Sequence, residues 1–166
     1  MLKIRKGNPE DVETILRIFD SAKKYMRAKG NLSQWSDGYP SRSHVLEDIE
    51  NGVNYVGETP EGEIVMTFTF IEGEDPTYLE IEGEWLNNEP YGTIHRIASD
   101  GTVSGVVKEA CEFCFKKTEN LRIDTHENNT PMRKALSDLD FIECGIIICR
   151  DGTPRIAFQK KNNCVP

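Results

Sequence analysis

A strand pattern, a small-residue turn and a helix pattern run without interruption through "YGTIHRIASDGTVSGVVKEACEFC", from Tyr91 to Cys114. A further strand pattern, "LRIDTH", follows at Leu121. Strand, helix and strand in direct succession imply a parallel pair joined by a right-handed crossover. No other stretch restricts the topology as much. The turn also has chemical content. Small residues that open a helix leave backbone N–H groups unpaired at the positive end of its dipole, and that end attracts phosphates. Gly101 and Gly105 let the chain turn tightly and let a ligand approach the backbone. An ordinary strand-to-helix turn carries the same residues, so the loop by itself leaves both readings open.

The flanking segments fill in a sheet. "LKIRKG" reads as a first strand. Asn8 is placed as an N-cap, with Pro9 at the first helical position and Glu10 and Asp11 in the first turn. Val12, Ile15, Leu16, Phe19, Ala22 and Met26 follow at helical spacing, and Gly30 marks the stop. "NLSQWSDGYPS" reads as a loop, and "SRSHVLEDIEN" as a second helix with Val45, Leu46 and Ile49 inward. "VNYVGE" and "EIVMTFTFI" form a hairpin through "TPEG". "EGEDPTYLEIEGEWLNNEP" is acidic and irregular. The helix after the Gly loop buries Val103, Val106, Val107, Ala110 and Cys114 and ends at Lys116 and Lys117, where the dipole favours cations. Pro131 and Met132 open a short helix reaching about Leu139. "FIECGIIIC" and "RIAFQKK" end the chain as strands around the Asp-Gly of "RDGTP". The expected fold is α/β, one domain over 1–166, with a mixed, mainly antiparallel sheet and one parallel crossover.

Composition removes several function classes. A formal net charge of −8 argues against nucleic acid, since phosphate binding wants a basic face. No apolar run is long enough to span a bilayer, and "MLKIRKGNPEDVE" lacks the apolar stretch of a signal peptide. The expectation is a soluble cytoplasmic protein with no membrane or nucleic-acid partner. Cys111, Cys114, Cys144, Cys149 and Cys164 are odd in number, which argues against a disulfide framework. Cys111 and Cys114 form a C-x-x-C inside a helical pattern, with no second pair at zinc-like spacing. They are read as core residues, with a redox dithiol as the weaker alternative and no metal expected. The tail "KNNCVP" reads as frayed.

Taken together, "IHRIAS", "DGTVSGVV", "LRIDTHENNTPM" and "FIECGIIICRDGTPRIAFQK" resemble the GNAT superfamily of N-acetyltransferases over nearly the whole chain. The likeness is greatest to small bacterial-type members, which share "QW…GYPS" in the first helix–helix loop. The resemblance implies helices on both sheet faces and acetyl-CoA in a V-shaped gap between the fourth and fifth strands. It puts the pyrophosphate on the amides of Thr102, Val103, Ser104, Gly105, Val106 and Val107. The pantetheine arm would pair like an added strand with Ile97, Ala98 and Ser99. Asn129 and Met132 match the family's N-x-x-A/M pattern; Asn129 either contacts that arm or caps the helix begun at Pro131. This chain departs from the family in four places. Thr102 replaces a Gln or Arg and Val107 a small residue. Leu136 stands where a general-acid tyrosine is common, and Asp140 replaces the glycine before Phe141.

Acetyl transfer to an amine requires a held cofactor, a neutral amine, a stabilised oxyanion and a leaving thiolate. A backbone N–H at Ile97 or Ala98 is the natural oxyanion donor. The candidate bases are Glu82, Glu84, His95, Asp124 and His126. Asp124 and His126 share one strand face, although Asp124 has Arg96 and Arg122 as alternative partners and the two glutamates also fit a solvated face. Water-relayed proton removal is a further route. Gln34, Trp35, Tyr39, Tyr78 and Trp85 are placed at the acceptor, where rings beside carboxylates suit a cationic amine; the competing reading makes Trp35 and Trp85 loop anchors. The leading function is acetyl transfer to a primary amine of a small molecule or an exposed protein or peptide amine. The alternative is an acyl-CoA-binding regulatory or interaction domain without turnover. Exposed strand edges near the C-terminus allow a homodimer.

Overall fold

The structure is a computed structural model and describes residues 1–36 and 38–162. Cys164 and most of the tail read as frayed lie outside them. The elements in chain order are β1 (Lys3–Lys6), α1 (Val12–Ala28), α2 (Arg42–Glu50), β2 (Asn54–Glu58), β3 (Ile64–Glu72), β4 (Glu82–Gly83), β5 (Gly92–Ser99), α3 (Val106–Cys114), β6 (Asn120–Thr125), α4 (Thr130–Asp138), β7 (Ile142–Ile148) and β8 (Pro154–Lys161). One eight-stranded sheet holds all the strands in the order β1-β2-β3-β5-β6-β8-β7-β4. Every pairing is antiparallel except β5 with β6, the expected crossover pair.

The short strand β4 was not expected. It docks on the outer edge of β7 because both strands have a glycine at the contact. A Cβ on Gly145 would lie 2.1 Å from the Glu82 carbonyl oxygen, and one on Gly83 would lie 2.1 Å from that of Cys144. With β4 counted, the fourth and fifth strands expected from sequence are β5 and β6.

Successive strand residues point to opposite faces, and β2 shows it. Tyr55 enters a cluster with Phe68, Phe70, Ile94, Cys111, Cys114 and Leu136, under α3 and α4. Val56 enters another with Val12, Ile15, Ile18, Phe19, Val45 and Ala98, under α1 and α2. Two sequence expectations for the helices fail. Leu46 is 43% exposed, and Asp48 is buried in its place because β3 and β5 supply its partners. In α3 the buried residues are Ala110, Cys111 and Cys114, whereas Val103, Val106 and Val107 are half-buried. Cys111 and Cys114 are core residues, and burial pushes the Cys111 thiol up to about 12 and that of Cys114 higher still. Both thiols are buried, and burial disfavours the accessible thiolate that a redox dithiol needs.

Asp140 follows α4 with φ 64, a left-handed position that glycine adopts at no steric cost. Asp140→Gly is expected to stabilise the fold by about 1 kcal/mol. That is a melting temperature higher by roughly 2–4 °C for a chain of this size, read by calorimetry.

Candidate active site

The site begins with an extra residue in β5. Thr67 pairs with Ala98 and Thr69 with His95, so Phe68 alone faces both Arg96 and Ile97. This is a β-bulge, and Arg96 takes φ 50 within it. On its other side β5 pairs with β6 at Gly92 and Thr93 and no further. From Ile123 to Thr125, β6 pairs with β8. The two parallel strands therefore diverge, and a cavity of about 890 Å³ opens beside them. Ile97, Ala98 and Ser99 form one wall. Asn129, Pro131, Met132 and Ala135 of the β6–α4 segment face them, and Ser21, Lys24, Tyr25 and Met26 of α1 add a third side.

The Gly loop closes the cavity at the start of α3. Gly105, at φ 75, precedes the helix, and no side chain caps its first turn. Upstream amides are committed: Gly101 N–H donates to Ser99 Oγ at 3.0 Å, and Thr102 N–H to Asp100 Oδ1 at 2.9 Å. Val103, Gly105, Val106 and Val107 line the cavity, but Thr102 and Ser104 do not. Lys24 and Lys108 line it as well, two cations that the sequence pattern had not singled out. An uncapped helix start in a cavity that Lys24 and Lys108 also line, together with apolar side chains, fits a long ligand that is anionic at one end. Asn129 Oδ1 accepts from the Met132 N–H at 3.3 Å, so Asn129 caps α4, while its Nδ2 donates to Gln34 Oε1 at 3.3 Å.

The base candidates lie away from the cavity lining and are not equivalent. His95 Nε2 is 2.9 Å from Asp75 Oδ2. Burial disfavours charge on Asp75, but the bonds from His95 and Thr77 prevail and bring its carboxyl to about 2. Because that carboxylate is ionised, Nε2 is the ring nitrogen that donates to it. His126 has the reverse arrangement. Its Nδ1 accepts from the Asn128 N–H at 3.0 Å, and its Nε2 lies 3.2 Å from Ser33 Oγ. Burial, then the charge of Arg155, lowers its pKa, so the ring is neutral with its proton on Nε2. Asp124 accepts from the hydroxyl of the fully buried Tyr78 at 2.6 Å rather than from an arginine. Glu82 and Glu84 are exposed.

The acceptor candidates are held in place by neighbours. Gln34 bonds Asn31 as well as Asn129. Trp35 packs edge-on against Phe19 at 5.4 Å. Tyr39 Oη accepts from Arg96 at 3.1 Å. Trp85 donates to the Tyr78 carbonyl, and the Arg122 guanidinium lies 4.0 Å from its ring centre and from that of Tyr91. Sequence reasoning missed Asp75. Its signal was local, an Asp-Pro in which the carboxylate caps the Thr77 N–H at 2.9 Å. Among the described residues no group of three or more His, Cys, Asp or Glu could hold a metal ion, and no helix is long and apolar enough to cross a membrane.

No family model and no curated protein matches the chain. Solved structures do. A GNAT-family acetyltransferase from Streptococcus agalactiae is 30% identical, over 98% of this chain and 96% of that one, with a TM-score of 0.87. This chain belongs to the GNAT family of acetyltransferases. A GNAT-family acetyltransferase from Listeria monocytogenes shares the fold at 20% identity over 96% and 94% of the two chains, TM-score 0.71. So does a ribosomal-protein-S5-alanine acetyltransferase from Vibrio fischeri, at 16% identity over 99% and 96%, TM-score 0.61. As a GNAT protein the chain is of the acyl-transfer class.

The Asp75–His95 pair yields a pH prediction for this GNAT fold. Asp75 has a folded pKa below its ordinary value of 3.8, so its contribution is complete above that value and is lost as the pH falls towards about 2. Asp75→Asn should cost on the order of 2 kcal/mol at neutral pH. In urea titrations the gap to the parent should close between about pH 4 and pH 2.

Proposed function

We propose that this GNAT chain transfers an acetyl group from acetyl-CoA to a primary amine of a small molecule or of an exposed protein or peptide. The observation that carries the reading is the divergence of β5 from β6 into a cavity that ends on the uncapped start of α3. When bound, acetyl-CoA supplies an acyl thioester. The backbone of Val103 to Val107, with Lys24 and Lys108, holds its phosphates. The β5 edge from Ile97 to Ser99 has no strand partner towards β6 and offers backbone hydrogen bonds to the arm and to the acyl oxygen. His95 is the preferred base. Asp75 fixes its tautomer and stabilises the imidazolium, and Nδ1 is left to take the proton of the amine. His126 already uses Nδ1 as an acceptor, which disfavours it in that role. A net charge of −8 favours a cationic acceptor over nucleic acid.

One observation favours the alternative of a domain that binds acyl-CoA without turnover. Leu136, at the position of the family's tyrosine, is fully buried in the core and brings no hydroxyl to the cavity. Acetyl-CoA, but not ATP, should raise the melting temperature saturably, by about 2.7 kcal/mol of stability at a hundredfold excess over Kd. Free CoA should then appear only when an amine from a screen is supplied. His95→Ala should lower kcat by at least about a hundredfold and leave the acetyl-CoA affinity unchanged. Binding with no amine-dependent CoA release would favour the alternative, and a wild-type rate in His95→Ala would remove His95 as the base.

A further inference from the structure

Arg96 stands out among strand residues. It lies in a strand at φ 50, a conformation that costs a side-chain-bearing residue free energy and that glycine adopts freely. It sits in the bulge of β5 against β3, beyond Thr93, the last β5 residue paired with β6. Something must hold it there, and its own side chain is fully engaged. The guanidinium reaches Asp48 of α2 through Nη2 at 2.7 and 2.9 Å and through Nε at 3.2 Å. Asp48 is 9% exposed, and its Oδ2 also accepts from Thr69 Oγ1 at 2.7 Å. Tyr39 of the α1–α2 loop takes a further N–H of Arg96 at 3.1 Å. Thr69 is the β3 residue paired with His95, immediately beside the bulge. A buried ion pair with all these bonds has one good geometry, and it is made from a rigid helix.

We propose that Asp48 and Arg96 are positioning residues for acyl transfer: their ion pair locks the β5 bulge and so holds open the gap that takes acetyl-CoA. Neither touches the reacting atoms. They act through the backbone of Ile97 and Ala98, which the bulge turns into the cavity wall. The proposal rests on the reading that this gap is the acetyl-CoA site.

Two double variants isolate the effect, D48N/R96A and D48N/R96G. Both remove the ion pair and leave no unpaired buried charge. They differ by one methyl group, and only glycine takes the left-handed conformation without strain. Acetyl-CoA affinity is measured by calorimetry, and amide exchange is followed across residues 94–99. D48N/R96G should bind within roughly threefold of the parent, and D48N/R96A roughly tenfold more weakly than D48N/R96G. The amides of 94–99 should exchange faster in the alanine variant. Parent-like affinity in both would show that the pair is dispensable, and equal weakening in both would show that the guanidinium acts other than by holding φ. Either result overturns the proposal. Asp11→Asn, which breaks the Arg5–Asp11 pair between β1 and the start of α1, is the stability control. It should lower the melting temperature without moving the affinity, and a loss of affinity like that of D48N/R96A would reduce the effect to general destabilisation and overturn the proposal. If the parent itself fails to bind acetyl-CoA, the functional reading falls. The exchange comparison still decides whether the pair holds the bulge.

Discussion

Backbone N–H and C=O groups inside a sheet need partners, and between β5 and β6 the fold withholds them. The strands are in register at Gly92 and Thr93 and then separate. The polar edge of β5 exposed by that separation runs along a cavity and ends near a helix whose first turn no side chain caps. Two sets of unpaired backbone donors thus lie in one cleft, where each would ordinarily count against stability. The remaining architecture compensates for this opening. β3 holds β5 on one side and β8 holds β6 on the other.

The acidic segment between β3 and β5 is fixed by a different means. Arg122 is buried on β6 with its guanidinium between the rings of Trp85 and Tyr91, and it donates to the Asn87 carbonyl at 2.9 Å. The ring faces stabilise a cation at a buried position. Trp85 therefore anchors the segment that carries Asp75 and Tyr78. Asp75, the carboxylate beside His95, keeps its place because that segment is pinned to the sheet, and Tyr91 Oη accepts from the Asp75 N–H at 2.8 Å to complete the attachment.

What the sequence revealed and what it concealed follow from the range of the interactions involved. The strand, Gly turn, helix and strand are legible because periodicity and turn chemistry are local. The N-terminal cap is legible for the same reason, and the Asn8 N–H does donate to Asp11 Oδ2 at 2.7 Å. The second helix was misread at Leu46 and Asp48 because an amphipathic pattern assumes that charge faces water. That assumption fails where an arginine from another element waits inside. β4 is two residues long and exists through glycine contacts between distant segments, so no window of sequence contains it. The Gly loop is legible as the turn before α3, but which of its residues reach the cavity depends on Asx-type bonds from Asp100 to Thr102.

Arginines hold two strained segments in this fold, and the two are neighbours. Trp35 has φ 59, and Arg27 of α1 donates to its carbonyl and to those of Asn31 and Gln34. Arg96 is the other, and Tyr39, four residues beyond Trp35, is one of its acceptors. The α1–α2 loop is thus fixed at its start by Arg27, touches the β6–α4 turn through Ser33 with His126 and Gln34 with Asn129, and meets the bulge through Tyr39. It spans the two sides of the gap between β5 and β6. A side chain that moves in this loop therefore acts on the bulge and on the α4 cap together. That geometry couples the α1–α2 loop to the gap between β5 and β6.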